Sequence, residues 1–98
     1  MKAIAPHFVA KITLYPTHQN GRKSLITGEW YGCPCKFHEA DFSAWDCRIL
    51  INGEPFAPGE TKEFAIVFLT AEIAPLFGLV ERFFIWEGRV IGEAHRIR

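Results

Sequence analysis

Phe8, Ala10, Ile12 and Leu14 occupy every second position, with Val9, Lys11, Thr13 and Tyr15 between them. Side chains of a strand alternate between its two faces, so this spacing builds one strongly apolar face and one mixed face. The pattern returns at Ala44 to Ile51, where Trp45, Cys47, Ile49 and Ile51 share a face and Asp46 and Arg48 take the other. Thr61 to Leu69 is more apolar still. Phe64, Ile66 and Phe68 alternate with Ala65, Val67 and Leu69, which predicts a strand buried on both faces.

Turn chemistry separates these runs. The first ends at Pro16 and passes into a polar stretch with Asn20-Gly21. A short strand is predicted over Ser24 to Thr27, ending at Gly28. Cys33 to His38 reads as another, with Pro34 assigning it to an edge or a bulge. Asn52-Gly53 closes the Ala44–Ile51 strand, and Ala57-Pro58-Gly59-Glu60 fits a type II turn. Ile73 to Gly78 is read as an irregular link, because Pro75 and Gly78 punctuate it. The remainder predicts a hairpin: Arg82 to Trp86, a turn at Glu87-Gly88, then Arg89 to Arg98, with Gly92 marking a bulge or a close backbone approach. About six short strands without a long helix imply an all-β fold, a small antiparallel barrel or a sandwich.

The 98 residues suit one domain spanning 1–98. With 49% hydrophobic and 22% charged residues, the composition is that of a chain that buries a core without metals or disulfides. Formal net charge is zero. That argues against a general nucleic-acid binder, whose affinity comes from neutralised phosphates. The charges are unevenly placed, however: Glu39 to Glu63 is mostly acidic and Arg82 to Arg98 mostly basic. The stretch Met1 to His7 lacks the apolar core of a signal peptide, and no run approaches the roughly 18 apolar residues of a membrane helix. The odd number of cysteines, three, leaves no complete disulfide framework, so a cytoplasmic protein with reduced thiols is expected.

A family resemblance lies in the order of these signals. Arg82-Phe83-Phe84-Ile85-Trp86-Glu87-Gly88-Arg89-Val90-Ile91-Gly92 resembles the closing hairpin of the third domain of elongation factor Tu, R-F-A-I-R-E-G-G-R-T-V-G. Pro58-Gly59-Glu60 is similar to that family's M-P-G-D turn, and Ile73-Ala74 to its H-P-I-A step. Phe8, Gly21-Arg22 and Gly28 resemble its opening F…G-G-R…G pattern. The resemblance covers about Phe8 to Ile97 and implies a six-stranded antiparallel barrel. One segment departs from it. Where the family has Y-R-P-Q-F, on a surface involved in tRNA binding and antibiotic action, this chain reads Glu29-Trp30-Tyr31-Gly32-Cys33. The family's GTPase has no counterpart, since no G-x-x-x-x-G-K-[ST] phosphate loop is present.

No catalytic motif stands out. His7, His18, His38 and His95 are scattered, and nothing supplies a third group to orient a Cys35–His38 dyad. Cys33, Cys35, His38 and Cys47 are the one cluster of metal-ligand type. A C-x-C pair is tighter than the usual zinc knuckle, and His38 would leave the strand on the face opposite the cysteines. No zinc, no other cofactor and no enzymatic activity are therefore expected, and the cysteines are read as small core hydrophobes. The expected binding residues are Trp30 and Tyr31 in a loop between Gly28 and Gly32, Trp86 beside the hairpin turn, and Arg89 and Arg96 on the basic tail. The aromatics fit either a binding face or a barrel cap. The basic tail fits either phosphate contact or the solvated face of an edge strand. A non-catalytic module that binds a protein, in the manner of a translation-factor mimic, decoy or immunity protein, is the function expected, with RNA as the alternative partner.

Overall fold

The computed structural model describes residues 5–98. Residues 1–4 of the segment Met1 to His7 lie outside the described residues. Six strands form one closed antiparallel barrel: β1 (Phe8–Leu14), β2 (Tyr31–Lys36), β3 (Trp45–Leu50), β4 (Thr61–Phe68), β5 (Phe83–Trp86) and β6 (Val90–Arg96). The order around the barrel is β1-β4-β3-β2-β5-β6, with β6 returning to β1. A six-residue helix, α1 (Ala74–Leu79), follows β4. No helix of the described residues is long and apolar enough to cross a membrane.

The alternating positions become the core. Phe8, Ala10, Ile12 and Leu14 of β1 are buried, as are Cys47 and Ile49 of β3 and Ile51 just past its end. Phe64, Ile66 and Phe68 of β4 and Ile85 of β5 join them. Fully burying side chains of this size stabilises a fold by about 1.5–3 kcal/mol each. The Pro58-Gly59 turn forms as expected: the Glu60 amide donates to the Ala57 carbonyl at 3.1 Å, and Gly59 takes φ +90°.

Gly92 marks both features expected of it. A Cβ there would lie 2.5 Å from the Thr13 carbonyl oxygen, so β1 and β6 meet only because the residue is glycine. The bulge sits beside it. Ile85 faces Gly92 and Trp86 faces Val90, which leaves Ile91 as the extra residue of β6. The extra residue lets Ile91 and Ala94 both reach the core.

Four local expectations change. Ser24 to Thr27 is not a strand; only Ile26 pairs, in an isolated bridge to Phe56. Ile73 to Gly78 is helical rather than irregular. Pro75 falls in the first turn of α1, where a missing N–H costs nothing, so it starts the helix rather than breaking it. The cysteine strand is interior, since barrel closure leaves no edges, and Pro34 stands one residue outside the short β2–β5 ladder of Cys35↔Ile85 and Lys36↔Phe84. Finally, β4 is not buried on both faces throughout: Val67 is buried, Ala65 is half-buried, and Leu69, just past the strand, is 56% exposed.

Helix α1 contributes Phe77 to the core. Its ring stacks on Phe37 at 4.0 Å and on Phe68 at 4.8 Å, and meets Phe83 edge-on at 5.1 Å.

Candidate functional site

The outer side of β2 and β3 carries the most distinctive surface. Gly32 and Arg48 face each other across the two strands. The Trp30 indole lies over Gly32, so closely that a Cβ on Gly32 would sit 3.0 Å from its Cζ3. The Arg48 guanidinium is 4.2 Å from the ring centroid. The missing side chain at position 32 therefore lets the indole lie down on the sheet, and the cation holds it there. The loop leading to Trp30 is fixed in turn by backbone bonds of 2.8 Å from Asn52 to Glu29 and from Gly53 to Gly28. Trp30 nevertheless remains 48% exposed. It borders a hollow of about 190 Å³ lined also by Pro34, Asp46, Arg48 and Leu69. An exposed indole, an exposed leucine and one charge of each sign thus share a small concave patch.

The other expected binding residues lie elsewhere. Tyr31 is the first residue of β2, not part of a loop. It is packed against the core, its hydroxyl donates to Glu87, and Arg22 lies over its ring at 5.4 Å. Burial, followed by the bond to Glu87, raises its phenol well above the ordinary range. Trp86 is half-buried, with the Lys36 ammonium 4.9 Å from its ring. Arg89 is committed to structure: its Nε donates to the Asn20 carbonyl at 2.9 Å and its Nη2 to that of Gly21 at 2.8 Å. Arg96 rests over Phe8 at 5.8 Å beside α1. Tyr31, Trp86 and Arg89 thus gather near the β5–β6 turn through Glu87, Arg22 and Gly21, while Trp30 lies over Gly32 and Arg96 over Phe8.

The two charged stretches meet in space at one ion pair. Arg98 pairs with Glu63 at 3.1 Å, joining the basic tail to the acidic stretch, and Arg82 pairs with Glu93 at 3.3 Å. Arg22 pairs with Glu87, and Lys62 with Glu54. The solvated edge strand considered for the tail does not exist either, because β6 is paired on both sides.

Inside the same two strands, the three cysteines converge. Cys33 and Cys47 are cross-strand partners. Cys47 Sγ lies 3.1 Å from that of Cys35 and 3.8 Å from that of Cys33. All three are free and buried, as expected of core residues. Hydrogen bonds from Cys33 and then Cys35 hold the Cys47 thiol down at about 5, against the effect of burial. Cys35 is pushed well up by its bonds to Cys33 and Cys47 and by burial. His38 is exposed beyond the end of β2, so neither a Cys35–His38 dyad nor a four-ligand zinc set is assembled.

Arg48 and Leu69 are the residues of the outer patch that sequence reasoning did not single out. Arg48 carried a usable signal, a cation on the outward side of an alternating strand. Leu69 carried a misleading one, an apolar residue at the end of the most apolar run. No protein-family model and no curated protein matches the chain.

Proposed function

We propose that this domain is a non-catalytic binding module that recognises a protein through the patch around Trp30, Arg48 and Leu69. The observation that carries this reading is the indole held between Gly32 and Arg48 while half its surface faces water. Tryptophan and arginine dominate the energetics of protein interfaces, and an anchor fixed before binding loses little conformational freedom on contact. Formal net charge is zero, and five of the eleven basic side chains are engaged, four by carboxylates and Arg89 by carbonyls, which works against a phosphate-binding stripe. The protein reading is therefore preferred to the RNA one.

The six-stranded barrel agrees with what the resemblance to the third domain of elongation factor Tu implies. On that reading the chain imitates that domain toward a protein that recognises it, as a mimic, decoy or immunity-type factor acting in the cytoplasm. The altered Trp30 segment is where a changed preference would be written.

Affinity capture on the immobilised domain tests this, run beside Trp30→Ala and with the elongation factor's own third domain as competitor. A retained protein that is lost with Trp30→Ala and displaced by the competitor is the expected result. Retention that disappears on nuclease treatment would transfer the reading to RNA. A captured protein indifferent to Trp30→Ala would remove this patch from the interface.

A further inference from the structure

We propose that Cys33, Cys35 and Cys47 form a three-sulfur site for a soft monovalent metal ion, copper(I) by its chemistry. The site lies on the inner side of the strands whose outer side carries Trp30 and Arg48, and the inference stands apart from the function proposed for that patch.

All three cysteines of the chain meet at this one place. Their sulfurs lie within 4.8 Å of one another, with the two shorter separations at 3.1 and 3.8 Å. An ion bound in the plane of three sulfurs at about 2.3 Å holds them about 4 Å apart. Movements well under the width of an atom would therefore bring the thiols to that geometry. The ligands come from two paired barrel strands, so they are positioned before any ion arrives.

The donor set selects the metal. Among the described residues no carboxylate or imidazole joins the three sulfurs. Their cross-strand neighbours are Trp45 and Ile85 beside Cys35 and Phe68 beside Cys47, which present hydrocarbon in place of further ligands. Hard cations need oxygen donors, and structural zinc needs a fourth ligand. Copper(I) is soft and is satisfied by three thiolates. Uptake forms three copper–sulfur bonds and releases the thiol protons to solvent. Neither copper nor sulfur changes oxidation state. The β2–β5 ladder beside the site is short, pairing only Cys35 and Lys36 and leaving Cys33 beyond it.

The test uses the whole, prereduced chain under anaerobic conditions, titrated with the acetonitrile complex of copper(I) against a chromophoric copper(I) chelator. The expected result is one copper per chain, retained against the chelator, with three sulfurs and no lighter atom in its X-ray absorption shell. Cys47→Ala should lower the affinity more than about 100-fold, beyond the loss from disturbing an outer-shell contact. Circular dichroism melts establish that the variant is folded. If Cys47→Ala does not fold, Cys33→Ala is read in the same way. No copper retained against the chelator overturns the proposal. So does retention unchanged in a folded variant, or a shell containing nitrogen or oxygen.

Discussion

Gly32 and Trp30 are fitted to one another: the indole occupies the space that a side chain at position 32 would fill, with 3.0 Å left to an added Cβ. Gly32→Ala should lift the ring by a few tenths of an ångström and loosen its stacking on Arg48. Alanine in a strand interior recovers roughly 0.5–1 kcal/mol of backbone entropy relative to glycine, which offsets the crowding. Unfolding by urea should therefore be nearly unchanged, while affinity for the captured partner falls. A variant that binds normally would show that the ring's position does not matter.

Trp30→Ala separates binding from stability more sharply. An anchoring tryptophan typically contributes about 2 kcal/mol or more to an interface. Because the ring is half in water, its removal should cost the fold much less than the about 3–5 kcal/mol typical of a buried aromatic. Isothermal titration and a thermal melt on the same variant check the two halves. A large fall in melting temperature would mark Trp30 as a structural residue.

Phe77→Ala should cost about 3–5 kcal/mol, a large share of the roughly 5–15 kcal/mol that stabilises a domain. The residue is fully buried and touches Phe37, Phe68 and Phe83. Chemical denaturation measures the loss. A change below about 1 kcal/mol would mean that α1 packs only loosely against the barrel.

Arg89→Met removes two hydrogen bonds to the carbonyls of Asn20 and Gly21, and should destabilise the domain by about 1–2 kcal/mol. Binding of RNA, tested by filter retention, should not change. An unchanged urea midpoint together with weaker RNA retention would return Arg89 to the role of a phosphate contact.

Tyr31→Phe should alter the alkaline limb of stability. Burial and the bond to Glu87 raise the phenol in the folded chain. The stability linked to its proton is intact below about pH 10, and is lost above it as the unfolded chain releases a proton that the folded chain keeps. The wild type should therefore weaken faster than Tyr31→Phe between about pH 9 and pH 11. Parallel curves in urea would show that the phenol titrates normally.

The barrel was largely legible because period-two alternation is a local signal: Phe8 to Leu14 and Trp45 to Ile51 reveal their buried faces without reference to anything distant. Helix α1 was not, because six residues are too few to establish helical periodicity and Pro75 means opposite things inside a helix and at its start. Leu69 looks like core in the sequence because composition does not reveal that β4 ends one residue earlier. The site was half visible. Trp30 stood out as an aromatic between glycines, but its partner Arg48 arrives from a strand more than a dozen positions away. The convergence of Cys35 and Cys47 likewise depends on register, which the alternation of each strand alone does not set.

Strand β1 hydrogen-bonds on one side to β4, with Phe8 opposite Ile66, and on the other to β6, with Leu14 opposite Gly92. Both partners lie far from β1 in sequence. Before they pair with it, the apolar row from Phe8 to Leu14 has no native surface to cover it, and the loop that must be closed is nearly as long as the domain. Contacts so distant in sequence slow the search for the native state, into the millisecond-to-second range common for all-β domains. Until β6 pairs with it, β1 keeps an unpaired edge and an uncovered apolar row, the kind of surface through which folding intermediates associate.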